Sequence, residues 1–186
     1  MEARREVPHY TVEDYLQWEG DWELWHGTAV AMAPSPGRPH QDVAGNLYTQ
    51  LRAAVEAAGC KCRVYYEIDW HLAEDHVLRP DILVVCKPDE GKWITRTPEL
   101  VVEVISPGSV RRDTIIKRGH CRDAGVRFYL LADPEKRKLR CLHLDEDGEY
   151  VPGPPAFDLH EGCRVELDAE RVWEGLPPPN DADAPA

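Results

Sequence analysis

The apolar positions of this chain follow two spacings, and each predicts a kind of element. Short β-branched runs, Ile82-Leu83-Val84-Val85, Leu100-Val101-Val102-Glu103-Val104-Ile105 and Val126-Arg127-Phe128-Tyr129-Leu130-Leu131-Ala132, predict buried strands. A four-residue spacing joins Val43, Leu47, Leu51 and Val55 on one stripe of a helix over 40–58, ended by Gly59. Residues 63–72 alternate around Val64, Tyr66, Ile68 and Trp70, which predicts one strand with Glu67 and Asp69 on its opposite face. Trp22-Glu23-Leu24-Trp25 and 28–32, joined by His26-Gly27, predict a hairpin. Thr11 and Asp14 fit a capping box for a short helix over 12–18.

A helix over 110–124, ended by Gly125, separates the strand at 100–105 from that at 126–132. Such a strand-helix-strand unit implies a right-handed crossover and a parallel pair. A peripheral hairpin about Asp147-Gly148 follows, then a last strand and short helix over 163–174. Residues 1–9 predict a flexible arm, 10–174 one domain, and 175–186, rich in Pro, Asp and Ala, a disordered tail. The stretch 34–39 predicts a loop.

Two of the buried runs carry a carboxylate: Asp81 precedes Ile82, and Glu103 interrupts an apolar strand. A buried carboxylate needs a cation or hydrogen-bonding partners. If the strands are neighbours, the two acids can face each other and repel, and a divalent cation makes the pair favourable. Carboxylate oxygens suit a hard ion such as Mg²⁺. Whether the strands pair as an antiparallel hairpin or lie side by side by another route is open at this level. Further along, Asp113 and Lys117 stand four apart on the predicted helix and share a face; elsewhere such a pair is commonly a solvated surface bridge. Spacing alone places Glu23 on the solvent side of its strand, and His40, at a helix start, as a cap or surface residue.

Composition narrows the function classes. The 186 residues carry a formal net charge of −12, which argues against a protein that coats nucleic acid. No stretch is long enough to cross a membrane, and the charged start resembles no secretory signal. A cytoplasmic location is therefore expected, with the six cysteines reduced and acting as small buried apolar groups. Cys60-x-Cys62 lacks the two-residue gap of common zinc sites, which weakens a cysteine-based metal or redox reading.

Pro80-Asp81, Glu103-Val104-Ile105, Asp113-x-x-x-Lys117 and Gly125-Val126, in this order, resemble the Uma2 family of restriction-endonuclease-like proteins. Tyr10-Thr11-Val12-Glu13-Asp14-Tyr15, Glu23-Leu24-x-x-Gly27, His40-Gln41 and 128–134 extend the likeness over 10–173. That family is similar to the PD-(D/E)XK nuclease superfamily. The resemblance implies an α/β (α+β) restriction-endonuclease-like fold, with a central mixed β-sheet of four to five strands flanked by helices. It implies Asp81, Glu103 and Lys117 as catalytic residues, with Glu23, His40 and Asp113 in support. Asp81, Glu103 and Glu23 would hold Mg²⁺ or Mn²⁺, and Arg111, Arg112 and Arg118 would contact phosphate. The superfamily lysine usually stands two residues after the second acid, where this chain has Ile105; Lys117 on the next helix is the matching residue. Cys121 stands where the family has an aromatic. The implied activity is metal-dependent endonucleolytic hydrolysis of DNA by a homodimer. The rival is an inert nuclease-like fold that binds nucleic acid or protein.

Overall fold

The computed structural model describes residues 8–32, 37–88 and 90–178; the expectations for 1–7, the first half of the 34–39 loop and most of the C-terminal tail lie outside the described residues. The chain order is α1 (Val12–Tyr15), β1 (Trp22–Trp25), β2 (Thr28–Ala31), α2 (Arg38–Ala57), β3 (Cys62–Tyr66), β4 (Trp70–Ala73), β5 (His76–Leu78), β6 (Ile82–Cys86) and β7 (Leu100–Val104). A helical stretch follows, π-helical over Arg112–Lys117 and then α3 (Arg118–Asp123). The chain continues with β8 (Phe128–Asp133), β9 (Lys138–Leu144), β10 (Tyr150–Gly153), β11 (Ala156–Asp158) and β12 (Arg164–Glu166).

A mixed six-stranded sheet in the order β10-β9-β8-β7-β6-β3 forms the centre, and a four-stranded sheet β2-β1-β5-β4 stands beside it. β6 and β7 pair antiparallel, with Ile82 opposite Val102, which settles the pairing that the sequence left open. β7 and β8 pair parallel, with Val102 opposite Leu130, as the crossover requires. Every residue of β6, β7 and β8 is buried because both faces are covered. Ile82, Val84, Val102 and Leu130 pack against Val43, Leu47 and Leu51 of α2. Leu83, Val101, Tyr129 and Leu131 pack against Trp70, Ile94 and Cys121 on the other face. Each such aliphatic side chain contributes about 1.5–3 kcal/mol relative to exposure, so these three strands hold the frame on which the site is built. The 12–18 helix is shorter than expected, a single capped turn in which Thr11 N–H donates to Asp14 Oδ2 at 2.8 Å.

Two expectations are corrected. The single strand predicted over 63–72 is two, β3 and β4, in different sheets. Glu67, at φ 45°, turns the chain between them, and its N–H donates to the Asp81 carbonyl at 2.9 Å. Apolar alternation continues on both sides of that turn, so a period of two passes over it unseen. The second correction concerns the cysteines. Cys60 is joined to Cys163 and Cys62 to Cys86, while Cys121 and Cys141 are free and buried. Cys62 and Cys86 are register partners on β3 and β6, a neighbourhood that linear spacing does not report. Among the described residues no helix is long and apolar enough to cross a membrane.

Candidate active site

β1, the chain entering β6, the end of β7 and the π-helical turn bring their polar side chains to one small cleft, of about 90 Å³. The β6–β7 register sets Asp81 beside Glu103 at the strand ends. Asp81 Oδ2 accepts the Val104 N–H at 2.7 Å and lies 3.4 Å from His40 Nε2. Alternation along β7 aims Glu103 to the same face as Val101 and Ile105, the face on which the helical stretch packs. That stretch begins at Ser109, whose carbonyl accepts the Asp113 N–H at 2.9 Å. Tyr129 of β8 donates its hydroxyl to the Asp113 carbonyl at 2.9 Å and holds the π turn against the sheet. π turns of this kind recur at functional sites.

Lys117 projects from this turn into the cleft and is 3% exposed. Its Nζ lies 2.6 Å from Glu103 Oε1, 3.1 Å from Glu23 Oε1 and 3.2 Å from the Arg79 carbonyl. An ammonium has three donors, so these three acceptors match its capacity. Glu23 is held in turn by the Arg79 N–H at 2.7 Å and by Trp25 Nε1 at 3.1 Å. Arg79 turns its side chain the other way: Nε donates to Asp69 at 2.7 Å, Nη1 to Asp21 at 3.0 Å and Nη2 to the Tyr15 hydroxyl at 3.3 Å. Arg79 therefore serves the site with its backbone, and its guanidinium anchors that backbone.

The charges are strongly coupled. Burial alone would lower the Lys117 ammonium, but the Glu103 and Glu23 carboxylates outweigh it and hold the amine protonated, well above its ordinary value. Burial pushes Glu103 well above the usual carboxylate range, with Asp113 and Asp81 adding to the rise against Lys117. Burial also works against protonation of His40, yet the hydrogen bond and charge of Asp81 raise it overall. Asp113 is raised to about 6, chiefly by burial. A carboxyl whose folded value lies above its unfolded one stabilises fully below the unfolded value, and that stability is lost as pH rises through the folded one. In chelator, Asp113→Asn should flatten the fall of stability between the ordinary aspartate value of 3.8 and about 6. Relative to its stability at low pH, the variant should keep at neutral pH roughly 3 kcal/mol that the wild type loses. Urea melts across that range check the slope; parallel curves for variant and wild type would refute it.

Of the residues expected from sequence, Asp81, Glu103, Lys117, Glu23, His40, Asp113 and Arg112 line this cleft. Two placements are corrected: Glu23 is buried at 1% exposure rather than solvent-facing, and His40 is buried against Asp81 rather than at the surface. Lys117 and Asp113 are likewise buried, not a solvated surface pair. Arg112 donates Nη2 to the Ala31 carbonyl at 3.0 Å; Arg111 is exposed, and neither it nor Arg118 lines the cleft. The sequence reading missed Arg79, Asp69, Tyr15 and Ser109. Asp69 carried a signal, an acid in an aromatic, β-rich segment, but the alternation assigned it to solvent.

The chain matches the family Uma2, described as "Putative restriction endonuclease", over residues 12–180. No curated protein matches it. Its fold is similar to the crystal structure of "a putative nuclease belonging to DUF820" from Anabaena variabilis ATCC 29413, with a TM-score of 0.70 and 17% identity. That likeness covers 88% of this chain and 97% of the other, and at this identity it bears on the fold alone. With a family match over nearly its whole length and a nuclease-like fold, the chain belongs to the Uma2 family.

Proposed function

We propose that this chain is a metal-dependent endonuclease that hydrolyses phosphodiester bonds of DNA. The observation that carries the proposal is the Lys117 ammonium, drawn from a helix into contact with Glu103 although Ile105 stands where the superfamily lysine usually does. A buried ammonium among acids at a cleft is costly for a purely structural role, and it suits a group that must meet developing negative charge.

The donor set fits a hard divalent cation. Asp81 uses Oδ2 on Val104 and His40, which leaves Oδ1 for a ligand in the cleft. Burial disfavours an ionised Glu103 without a further positive charge. Asp81 and Glu103 are thus the residues that would hold Mg²⁺ or Mn²⁺. Glu23, with its oxygens engaged by Arg79, Trp25 and Lys117, serves better to position Lys117 than to ligate. When bound, the ion supplies Lewis-acid polarisation of phosphate and a more acidic water. Lys117 then orients the attacking water or stabilises negative charge on the phosphoryl oxygens. His40, against Asp81, can hold or release a proton at the cleft mouth, and Arg112 is the best placed phosphate contact. A homodimer, which would bring two such clefts to the two strands, and a cytoplasmic site of action belong to the same proposal.

The rival reading, a fold that binds without turnover, draws on the formal charge of −12, which disfavours long contact with a polyanion. Plasmid, single-stranded DNA and RNA incubated with Mg²⁺, Mn²⁺ or chelator separate the two. Cleavage of DNA that needs the metal is expected. The melting temperature should rise with metal in wild type and respond less in Asp81→Asn and Glu103→Gln. An unchanged response in both variants, or no metal-dependent cleavage of DNA, overturns the proposal.

A further inference from the structure

Three histidines gather on the flank of this cleft without taking part in it. His26 lies in the β1–β2 turn, His76 opens β5 and His120 lies on α3. Their ring centroids are 4.1 Å apart for His26 and His76, 4.6 Å for His76 and His120, and 5.1 Å for His26 and His120. One ring nitrogen of each falls within 4.8 Å of the others. His76 is 4% exposed, and its Nε2 has no hydrogen-bond partner. A buried imidazole nitrogen left unpaired is a cost that needs a reason.

The geometry points to a zinc site formed by His26, His76 and His120, distinct from the acidic cleft. Imidazole suits Zn²⁺, whereas Mg²⁺ takes oxygen. With Zn–N bonds of 2.0–2.1 Å, tetrahedral ligand nitrogens stand about 3.4 Å apart. His26 is exposed and His120 half-buried, so both can rotate to close the set around His76. Burial and the two neighbouring rings push His76 down to about 4, and burial and His26 lower His120. Those rings are neutral at physiological pH, as ligands must be. Three protein ligands would leave a fourth position for water.

The placement gives the ion a task. His26 stands three residues after Glu23, His76 three before Arg79, and His120 three after Lys117. Glu23 and the Arg79 carbonyl meet Lys117 at its ammonium, beside the contact with Glu103. An ion shared by the three histidines would tie together the hairpin, the β5 strand and the helix that deliver them. The site stands whether or not the cleft cleaves DNA.

The test uses the full chain, stripped with chelator and kept free of reductant so that Cys60, Cys62, Cys86 and Cys163 stay paired, in excess Mg²⁺. Zn²⁺ is titrated by calorimetry, and Co²⁺ serves as a probe through its visible absorption. Wild type should bind one zinc per chain and show Co²⁺ bands of a nitrogen-rich, low-coordinate site. His26→Asn, at an exposed turn whose φ of 46° asparagine accepts, should weaken zinc binding by at least ~10-fold. His120→Gln should do the same, and Asp81→Asn should leave zinc affinity unchanged. Wild-type affinity in both histidine variants, or a loss confined to Asp81→Asn, would overturn the assignment.

Discussion

Lys117→Met is expected to lose ~10²- to 10⁴-fold of DNA cleavage, the usual effect of removing one acid-base or charge-stabilising group. The same change should cost stability. Glu103 and Glu23 would remain buried without their cation, and breaking a buried pair costs about 3–5 kcal/mol. Part of that is recovered when Glu103, already pushed upward by burial, takes a proton. Losing Lys117 raises it further, so the added proton is held in the folded state and the variant is relatively protected at low pH. Its deficit against wild type should therefore widen as pH rises. Lys136→Met is the internal comparison, because Lys136 pairs with Asp133 at 3.0 Å with its own side chain 69% exposed; such pairs contribute little. Metal-dependent cleavage and urea melts over a pH series decide it. Equal activities in the two variants would remove Lys117 from the chemistry and leave the binding-only reading ahead.

Opening the disulfides should produce the other large effect. Cys60–Cys163 spans a sequence separation of 103 and Cys62–Cys86 one of 24. Chain-entropy arguments assign about 4.7 kcal/mol to a loop of the first size and about 3.5 kcal/mol to the second. Domains of this kind have ~5–15 kcal/mol in all, so Cys60→Ser with Cys163→Ser removes a large share. Because the smaller loop lies inside the larger, the losses should not simply add. Urea melts with and without reductant measure the effect. Denatured without reductant, the chain should show two reactive thiols, from Cys121 and Cys141. If all six cysteines react, the bridges are open in the isolated protein and reductant should shift nothing. A reducing cytoplasm disfavours such bridges, so the same count bears on where the protein works.

The sheet was legible because its strands are strongly apolar and its crossover has one permitted hand. β6, β7 and β8 needed no more than their own runs, and α2 no more than its four-residue stripe. The acids of the cleft showed for the opposite reason: Asp81 and Glu103 break the pattern that their strands set. What stayed hidden depended on partners distant in sequence. Glu23 alternates like a surface residue, and only Lys117 and the Arg79 backbone, on other elements, make its burial tolerable. His40 resembled a cap because Asp81 comes 41 positions later, a number that can be read directly from the sequence but whose meaning cannot. The turn at Glu67 gave no Gly or Pro, and the cysteine pairs follow strand neighbours rather than spacing.

The π-helical turn over Arg112–Lys117 constrains how this gene can change. A π turn carries one residue more than the α turn it replaces, so deleting a single codon there would relax it to ordinary helix. Cys121, fully buried below it, would keep the C-terminal part in place. The part bearing Asp113 would then rotate by about 100° against Lys117, although every side chain of the site survived. Insertions and deletions in this turn are therefore more damaging than most substitutions. In the connection that joins β6 to β7 away from the acids, Ile94 is buried in the core, so length can drift there only outside that anchor.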